Sequence, residues 1–361
     1  MTSSNFFEID FLDVETASSG DAIVLRVVQN DVQTVTVVDG GFTDTGPKII
    51  EHINAYYGAV SHIDNVVLSH PDGDHAAGLK YVLENFTVER LWMNRPWVYS
   101  AQLINSYPTY NSVDALTARL RKKYPHVAEL EKIAIEKGVL IEEAMQGAQI
   151  GHFRVLAPSF DRFFNLVLAD DDKAEEEAET ASSRFDKILS EIAKTAKSLI
   201  ASVWGAENLP ERETSRRNEM SVVQHALIDG RSVMLTGDAG IEALKEAVSV
   251  APLYGISLPG VDHFQVPHHG SRRNVSSDVL DALLGPKYPS QALAPNAFTA
   301  IVSAARMDEH HPKKAVIRAM IHRGGSVIST ETGNKCTGNN MPPRDGWSTS
   351  PTLEYPLEQE E

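Results

Sequence analysis

The stretch LSHPDGDHAAG, at residues 68–78, constrains this chain more than any other segment. It follows the apolar run HIDNVV and precedes AAGLKYVLENF, so it is typical of a loop between a buried strand and a helix. Within six residues it places His70, Asp72, Asp74 and His75. Imidazole and carboxylate groups are ligands for Zn, Mn and Fe, and a cation would offset the repulsion between the carboxylates. A helix-capping turn explains any one of these residues, but four together predict a metal site.

Two other apolar runs end in residues of the same kinds. VMLTGDAG ends with Asp238, and FQVPHHGS ends with His268 and His269. A single strand-end aspartate is commonly a turn residue, and paired histidines can be packed in a core. Three strands that each end in ligand-type residues instead predict one shared site at one edge of a sheet assembly.

Composition limits the substrates and the compartment. The chain has 361 residues, with 33 Lys and Arg against 49 Asp and Glu, a net charge of −16. Such a surface repels phosphate backbones, so a nucleic-acid substrate would need a local basic patch or bound cations. The single cysteine, Cys336, allows no internal disulfide and favours a reducing compartment. Without a signal peptide or a long apolar run, the sequence predicts a cytoplasmic protein with no membrane span.

The order HPDGDHAAG, TGD, PHHGS resembles the metallo-β-lactamase superfamily. Within it the likeness is greatest to the ComEC-like hydrolase domain of competence DNA-uptake proteins and its stand-alone relatives. It covers residues 6–94 and 139–332, including FLDV, GDA and the strand TVTVVDGG, whose Asp39 matches an early aspartate of the family. Late in the chain HHPKKAVIRAM matches a His-Pro before a helix and points to His311. The resemblance implies an α/β fold, an αββα sandwich of two mixed sheets with a helical, acidic insertion.

The resemblance also implies one or two divalent metal ions, Zn or Mn, and a metal-bound hydroxide that attacks a phosphorus or carbonyl centre. Its metal ligands would be His70, Asp72, Asp74, His75, Asp238 and His268. In that set Asp238 bridges two ions, and His269 remains an alternative to His268. As catalytic residues, Asp74 would also orient the nucleophile, and His311 would act as an acid or support the centre from outside the ligand set. Ser271, Arg272 and Arg273 follow the histidine pair, and the arginines could contact a phosphate.

Three departures distinguish this chain from the pattern. ETASSG replaces the family's Gly-Gln-Gly turn after FLDV, and Asp72 stands where the commoner superfamily motif has histidine. The third ligand motif usually supplies a histidine, but this chain has Asn218 there. One metal position would then lack a ligand, use Asn218 or be completed by water.

The domain prediction is a hydrolase domain over residues 1–338, with helical segments at 95–138 and an acidic, helical insert at 160–217. A polar, proline-rich tail at 339–361 is expected to be poorly ordered. Within the insert, residues 184–204 carry an apolar stripe at helical spacing. That helix could pack on the domain, mediate dimerisation or bind a protein partner. We expect the insert to cover the metal edge and restrict its substrates.

The favoured function is phosphodiesterase or nuclease, acting on a small molecule or on single-stranded nucleic acid. Two basic stretches, 119–124 and 216–218, could guide a strand. Two alternatives stay open. The chain could hydrolyse another ester, a lactone or thioester, or it could be a metal-stabilised partner-binding module of a defence or toxin system without turnover.

Overall fold

Two seven-stranded mixed sheets stack face to face in this computed structural model, which describes residues 5–14, 17–58, 60–170 and 199–360. The first sheet comprises β1 (Phe6–Phe11), β2 (Ala22–Gln29), β3 (Val32–Gly40), β4 (His62–Val67), β5 (Thr87–Trp92), β6 (Leu140–Glu142) and β15 (Lys335–Asn339). Its order is β15-β1-β2-β3-β4-β5-β6. The strands from β3 to β6 run parallel, and the others are antiparallel.

The second sheet repeats this plan. It comprises β7 (Gln149–Ile150), β8 (Phe153–Ala157), β10 (Val223–Ile228), β11 (Arg231–Leu235), β12 (His263–Gln265), β13 (Phe298–Val302) and β14 (Gly325–Ser329). Its order is β14-β13-β12-β11-β10-β8-β7, and the strands from β11 to β14 run parallel. Because parallel strands end at the same edge of a sheet, β11 and β12 deliver the residues that follow them to one place, and β4 does so in the first sheet.

Helices cover the outer faces of both sheets. Those over the first sheet are α1 (Thr45–Tyr56), α2 (Gly73–Ala76), α3 (Leu79–Asn85), α4 (Ser100–Leu103), α5 (Val113–Lys123), α6 (Pro125–Lys137) and α7 (160–170). Those over the second are α8 (Ile241–Val250), α9 (Ser277–Leu284) and α10 (Lys314–His322). The predicted αββα sandwich is confirmed. None of the described helices is long and apolar enough to cross a membrane.

The space between the sheets is filled by alternate residues of the strands. In β1, Phe7, Ile9 and Phe11 enter this core, while Glu8 and Asp10 point to the opposite face. The neighbouring sheet contributes apolar side chains from β8, β10 and β11 to the same layer. The period-two pattern of the sequence therefore sets which face each strand buries.

The tail was expected to be poorly ordered, but the structure places residues 339–360 against the fold. Arg344 binds the buried carboxylate of Asp10 with two hydrogen bonds of 2.6 and 2.8 Å. The ring of Trp347 packs edge-on against that of Tyr56. At the end, β16 (Glu358–Glu360) pairs with β9 (Leu199–Ala201). A polar, proline-rich segment gains its order here from partners elsewhere in the chain, which its own composition does not reveal.

The insert is described only at its two ends. Residues 171–198, with the acidic run and most of the predicted helix, lie outside the described residues. The last part of that predicted helix, 199–204, is instead a short strand and a turn. It pairs with the C-terminal strand, a tertiary partner that overrides the local helical spacing.

Candidate metal centre

Three strand ends meet at one edge of the sandwich. The loop after β4 holds His70, the turn after β11 holds Asp238, and the 3₁₀ turn after β12 holds His268 and His269. Gly78 allows the loop after β4 to fold back, because a Cβ atom there would overlap the carbonyl of Gly40. The sequence-predicted convergence of these strand ends is what the structure shows.

One group of side chains lies around a single oxygen of Asp238. The Nε2 atoms of His70 and His268 lie 3.8 and 3.7 Å from Asp238 Oδ2. His70 Nε2 also lies 3.7 Å from Asp72 Oδ2. Two imidazole nitrogens and two carboxylate oxygens thus face one another.

A second group lies around the other oxygen of Asp238. His75 Nε2 is 3.3 Å and His269 Nε2 is 3.7 Å from Asp238 Oδ1. Asp74 Oδ2 lies 3.9 Å from His75 Nε2 and 3.7 Å from His269 Nε2. Asp238 therefore stands between two sets of donors, in the bridging position that the resemblance implies.

Both histidines of the PHHGS motif face the centre, one in each group. The sequence left a choice between them, and the structure brings both into position. His268 and His269 have φ angles of 48° and 55°. That conformation is costly for residues other than glycine, and such strain is commonly kept at functional sites.

The other ring nitrogen of each histidine is held by a neighbouring group. His75 Nδ1 lies 2.7 Å from Asp39 Oδ2, and His269 Nδ1 donates to the carbonyl of Ser303 at 2.9 Å. His70 Nδ1 lies 3.0 Å from the hydroxyl of Ser69. Metal-ligating histidines are oriented in this way, with one nitrogen fixed and the other directed at the ion.

His268 is oriented by two amides. Its Nδ1 lies 3.1 Å from Asn274 Oδ1, and the amide nitrogen of Asn274 donates to the carbonyl of Asp238. The amide nitrogen of Asn218 also lies 2.6 Å from His268 Nδ1. Both amides contact Nδ1, which leaves Nε2 directed at the centre. Asn218 therefore supports a ligand-type histidine instead of facing the centre itself.

Four of the atoms that face the centre are buried and lack hydrogen-bond partners among the described residues. These atoms are Nε2 of His70, His75 and His269, and Oδ1 of Asp238. Buried polar atoms without partners are uncommon in folded proteins and need an explanation. A divalent cation provides one, since two imidazole and carboxylate groups per position are a donor set that suits Zn or Mn.

The shifted pKa values at the centre also favour a bound divalent cation. Burial alone would raise the pKa of Asp238, but His268, His75 and His269 hold that pKa well below its usual range. Burial lowers the pKa of His269, yet Asp238 and Asp74 raise it to about 9. A cluster whose carboxylates attract protons onto imidazoles attracts divalent cations by the same field.

The remaining predicted site residues line a cavity of about 970 Å³ that opens onto this centre. Ser271 and Arg272 lie on its wall, together with His311. The His311 ring stacks on His268 with 5.7 Å between centroids, and its Nδ1 lies 3.0 Å from Asp308 Oδ2. Burial is the main cause that lowers the pKa of His311, to about 4.

Sequence reasoning missed three supporting residues. Asp21 is fully buried, with Oδ2 3.9 Å from His75 Nδ1 and 4.0 Å from His269 Nδ1. Asn274 orients His268, and Asp308 joins His311 to Ser19. Asp21 stands in the GDA motif, which was a signal for it, but the other two stand in no motif that we identified.

The two adjacent arginines at the end of the insert, Arg216 and Arg217, are engaged with carboxylates. Arg217 binds Asp72, and Arg216 pairs with Glu213 at 3.1 Å. In the basic stretch 119–124, Lys123 pairs with Asp170 at 3.0 Å. These contacts differ from the expected exposed track for a nucleic-acid strand.

Comparisons with known proteins gave one family match and several similar solved structures. The sequence model described as the Metallo-beta-lactamase superfamily matches residues 16–108. No curated protein matches the chain. Among solved structures, the hydrolase AbOPH in the beta lactamase superfamily is 10% identical, with a TM-score of 0.30, and the alignment covers 60% of this chain. The chain spans 56% of the length of that structure.

Two further structures are similar. A putative metallo-beta-lactamase from Thermotoga maritima is 10% identical, with a TM-score of 0.28, over 64% of this chain and 79% of that one. A diphosphatase from the PhnP family is 11% identical, with a TM-score of 0.36, over 92% and 98%. The family match covers residues 16–108, which contain Asp39 and the whole HPDGDH loop, so the similarity to the metallo-β-lactamase superfamily includes one part of the metal centre.

Proposed function

We propose that this protein is a metal-dependent hydrolase of phosphodiesters. One ion would be held by His70, Asp72, Asp238 and His268, and a second by Asp74, His75, Asp238 and His269. Bound Zn or Mn would generate a nucleophilic hydroxide near neutral pH and offset charge on the substrate. The buried, partnerless nitrogens that face Asp238 support this assignment.

The charge of the cavity wall is the observation that favours a phosphate over a neutral ester. Although the chain has a net charge of −16, four cationic side chains line the cavity beside the metal centre. They are Arg212, Arg272, Arg273 and Lys313. Apart from the carboxylates that would hold metal, the wall carries two acidic residues, Glu213 and Glu360, so the cations are in excess there. Such an excess attracts anionic substrates, and arginine can bind a phosphate with two parallel hydrogen bonds.

Each chain residue would then have a distinct role. Arg272 and Arg273 bind the phosphate, and Asp74 orients the attacking oxygen. His311, backed by Asp308, lies at the cavity wall, where its imidazole, with a pKa of about 4, can accept a proton near neutral pH. This role places His311 outside the metal-ligand set.

The size and rim of the cavity favour small or single-stranded phosphodiesters. A volume of about 970 Å³ is at the upper end of small-molecule sites. Glu213 and Glu360 also line the wall, and their carboxylates would repel a second phosphate strand. The net charge of −16 would further disfavour duplex nucleic acid.

The test is hydrolysis of bis-(4-nitrophenyl) phosphate with Mn²⁺ or Zn²⁺, compared with 4-nitrophenyl acetate, a lactone and a thioester. We expect metal-dependent release of 4-nitrophenol from the diester that a chelator abolishes. The double variant D74A/H75A should lose this activity by about 100-fold or more while keeping its circular dichroism spectrum.

A second pair of variants tests the charge argument. R272Q/R273Q should raise KM for the phosphodiester and leave a neutral ester unaffected. R231Q is the matched control, because Arg231 is an exposed arginine that pairs with Asp262 outside the cavity. Faster hydrolysis of the lactone or thioester than of the diester would contradict the proposal, and no turnover of any ester would favour the partner-binding alternative.

A further inference from the structure

We propose that Arg217 is a positioning residue for the metal centre, one that orients Asp72 and offsets its charge. The inference rests on the proposed metal site, since Asp72 would be a ligand there. No motif identifies Arg217, and its position next to Asn218 gave it no role in the centre beyond a general contact with phosphate.

The two oxygens of Asp72 have different partners. Arg217 Nη1 lies 3.2 Å from Oδ1, while Oδ2 faces the centre, 3.7 Å from His70 Nε2. The arginine thus occupies the outer oxygen and leaves the inner one for an ion. This division would make Asp72 a one-oxygen ligand with a fixed direction.

Arg217 is itself held in place from two other sides. Its Nε lies 3.5 Å from Asp170 Oδ2, and its guanidinium carbon lies 5.4 Å from the ring centroid of Tyr124. The hydroxyl of Tyr124 donates to the same Asp170 at 3.0 Å, so Arg217, Tyr124 and Asp170 all contact one another. A planar guanidinium can serve two carboxylates and a ring at once, a geometry that lysine lacks.

The negative charge of Asp72 explains why an arginine is suited to this position. The group around Asp238 Oδ2 contains two carboxylates, those of Asp72 and Asp238, and two imidazoles. A histidine at position 72 would bring no charge, whereas the aspartate adds one negative charge that Arg217 cancels. The pair is about one-third exposed, 34% for Arg217 and 30% for Asp72, so its direct contribution to folding stability is small. Its effect should therefore appear in metal binding.

Arg216 provides a matched control. It is the adjacent residue in the same segment and also forms an ion pair, with Glu213 at 3.1 Å. That partner is 73% exposed and is no member of the metal centre. Removal of its charge should leave the centre unchanged.

The experiment is a calorimetric titration of chelator-stripped protein with Zn²⁺ alone. We expect R217Q to weaken the binding of one ion by about 10- to 100-fold, as is typical when a group that orients a ligand is lost. R216Q should bind like the wild type. The double variant D72H/R217Q should recover most of the affinity, because a neutral imidazole needs no compensating arginine.

Each other outcome has a definite meaning. Wild-type affinity in R217Q, or a double variant no better than R217Q, overturns the positioning role. If R217Q does not fold and D72H/R217Q does not fold either, Arg217 is a structural residue and the inference is wrong. If the wild type binds no Zn²⁺ at all, the proposed function fails at its first step, an outcome distinct from equal binding by wild type and R217Q.

Discussion

At the scale of single residues, the ligand-type side chains could be predicted from the sequence because each follows an apolar strand. His70, Asp238 and His268 stand directly after such runs, so the strand pattern alone predicts that they lie at one edge of the sheets. Their supports were harder to predict. Asp308 meets Ser19 across 289 residues, and no local pattern connects two positions so far apart. The contact of Asn218 with His268 could not be predicted for the same reason, because the two residues lie 50 positions apart in the sequence.

A buried histidine far from the metal centre should make the stability of the fold depend on pH. His263 in β12 is buried between the sheets, where its Nδ1 lies 2.7 Å from Thr337 Oγ1 and its ring meets that of Phe7. Burial lowers the pKa of His263 to about 4 from an ordinary 6.5. A lowered histidine pKa means that the unfolded chain binds the proton more tightly. The folded state therefore loses stability as the pH falls from 6.5 towards 4.

The expected loss from His263 is roughly 3 kcal/mol at pH 4, at about 1.4 kcal/mol per pKa unit. Urea unfolding of metal-free protein at pH 7 and pH 4 measures it. H263Q should lose less stability than the wild type over this range by about that amount. H310Q, at an exposed histidine, is the control and should follow the wild type. Parallel curves for H263Q and the wild type would refute the prediction.

At the scale of elements, apolar runs predicted the strands that end at the metal centre, and the family resemblance implied the sandwich. Prediction failed where a strand pairs with a distant part of the chain. Residues 199–204 have helical spacing, but residues 199–201 form β9, which pairs with β16. The strand β15, with the sequence KCTGN, is polar and contains glycine, so no pattern predicted it. It joins the edge of the first sheet through backbone bonds to β1, which do not depend on side-chain type. Edge and insert strands are thus the elements that sequence patterns predict least well.

At the scale of the whole molecule, the C-terminal segment ties the two ends of the chain together. Glu8 and Asp10 in β1 are fully buried, and Arg344 contacts both. The guanidinium of Arg344 also lies over the ring of Trp347, 4.8 Å from its centroid. Two buried carboxylates on a first strand require such a cation, but the pairing crosses more than 300 residues of sequence.

The loss of Arg344 should therefore destabilise the fold. R344Q removes the guanidinium from Asp10 and leaves Glu8 with Arg26 alone, and we expect it to lower the free energy of unfolding by about 3 kcal/mol. R231Q removes an exposed pair with Asp262 and should cost about 0–1 kcal/mol. Urea unfolding at pH 7 compares the two variants, and metal content should be equal in both. Equal stabilities would show that the tail contributes little to the fold.

The central claim is that the strand-end cluster binds two divalent ions around Asp238. Anomalous diffraction from crystals grown with Mn²⁺ tests it most directly. We predict two anomalous peaks, one between His70 and His268 and the other between His75 and His269. Absence of both peaks would contradict the account, and so would a manganese peak only at the exposed group of His62, Asp64 and Glu89, the other described place where ligand-type atoms come together.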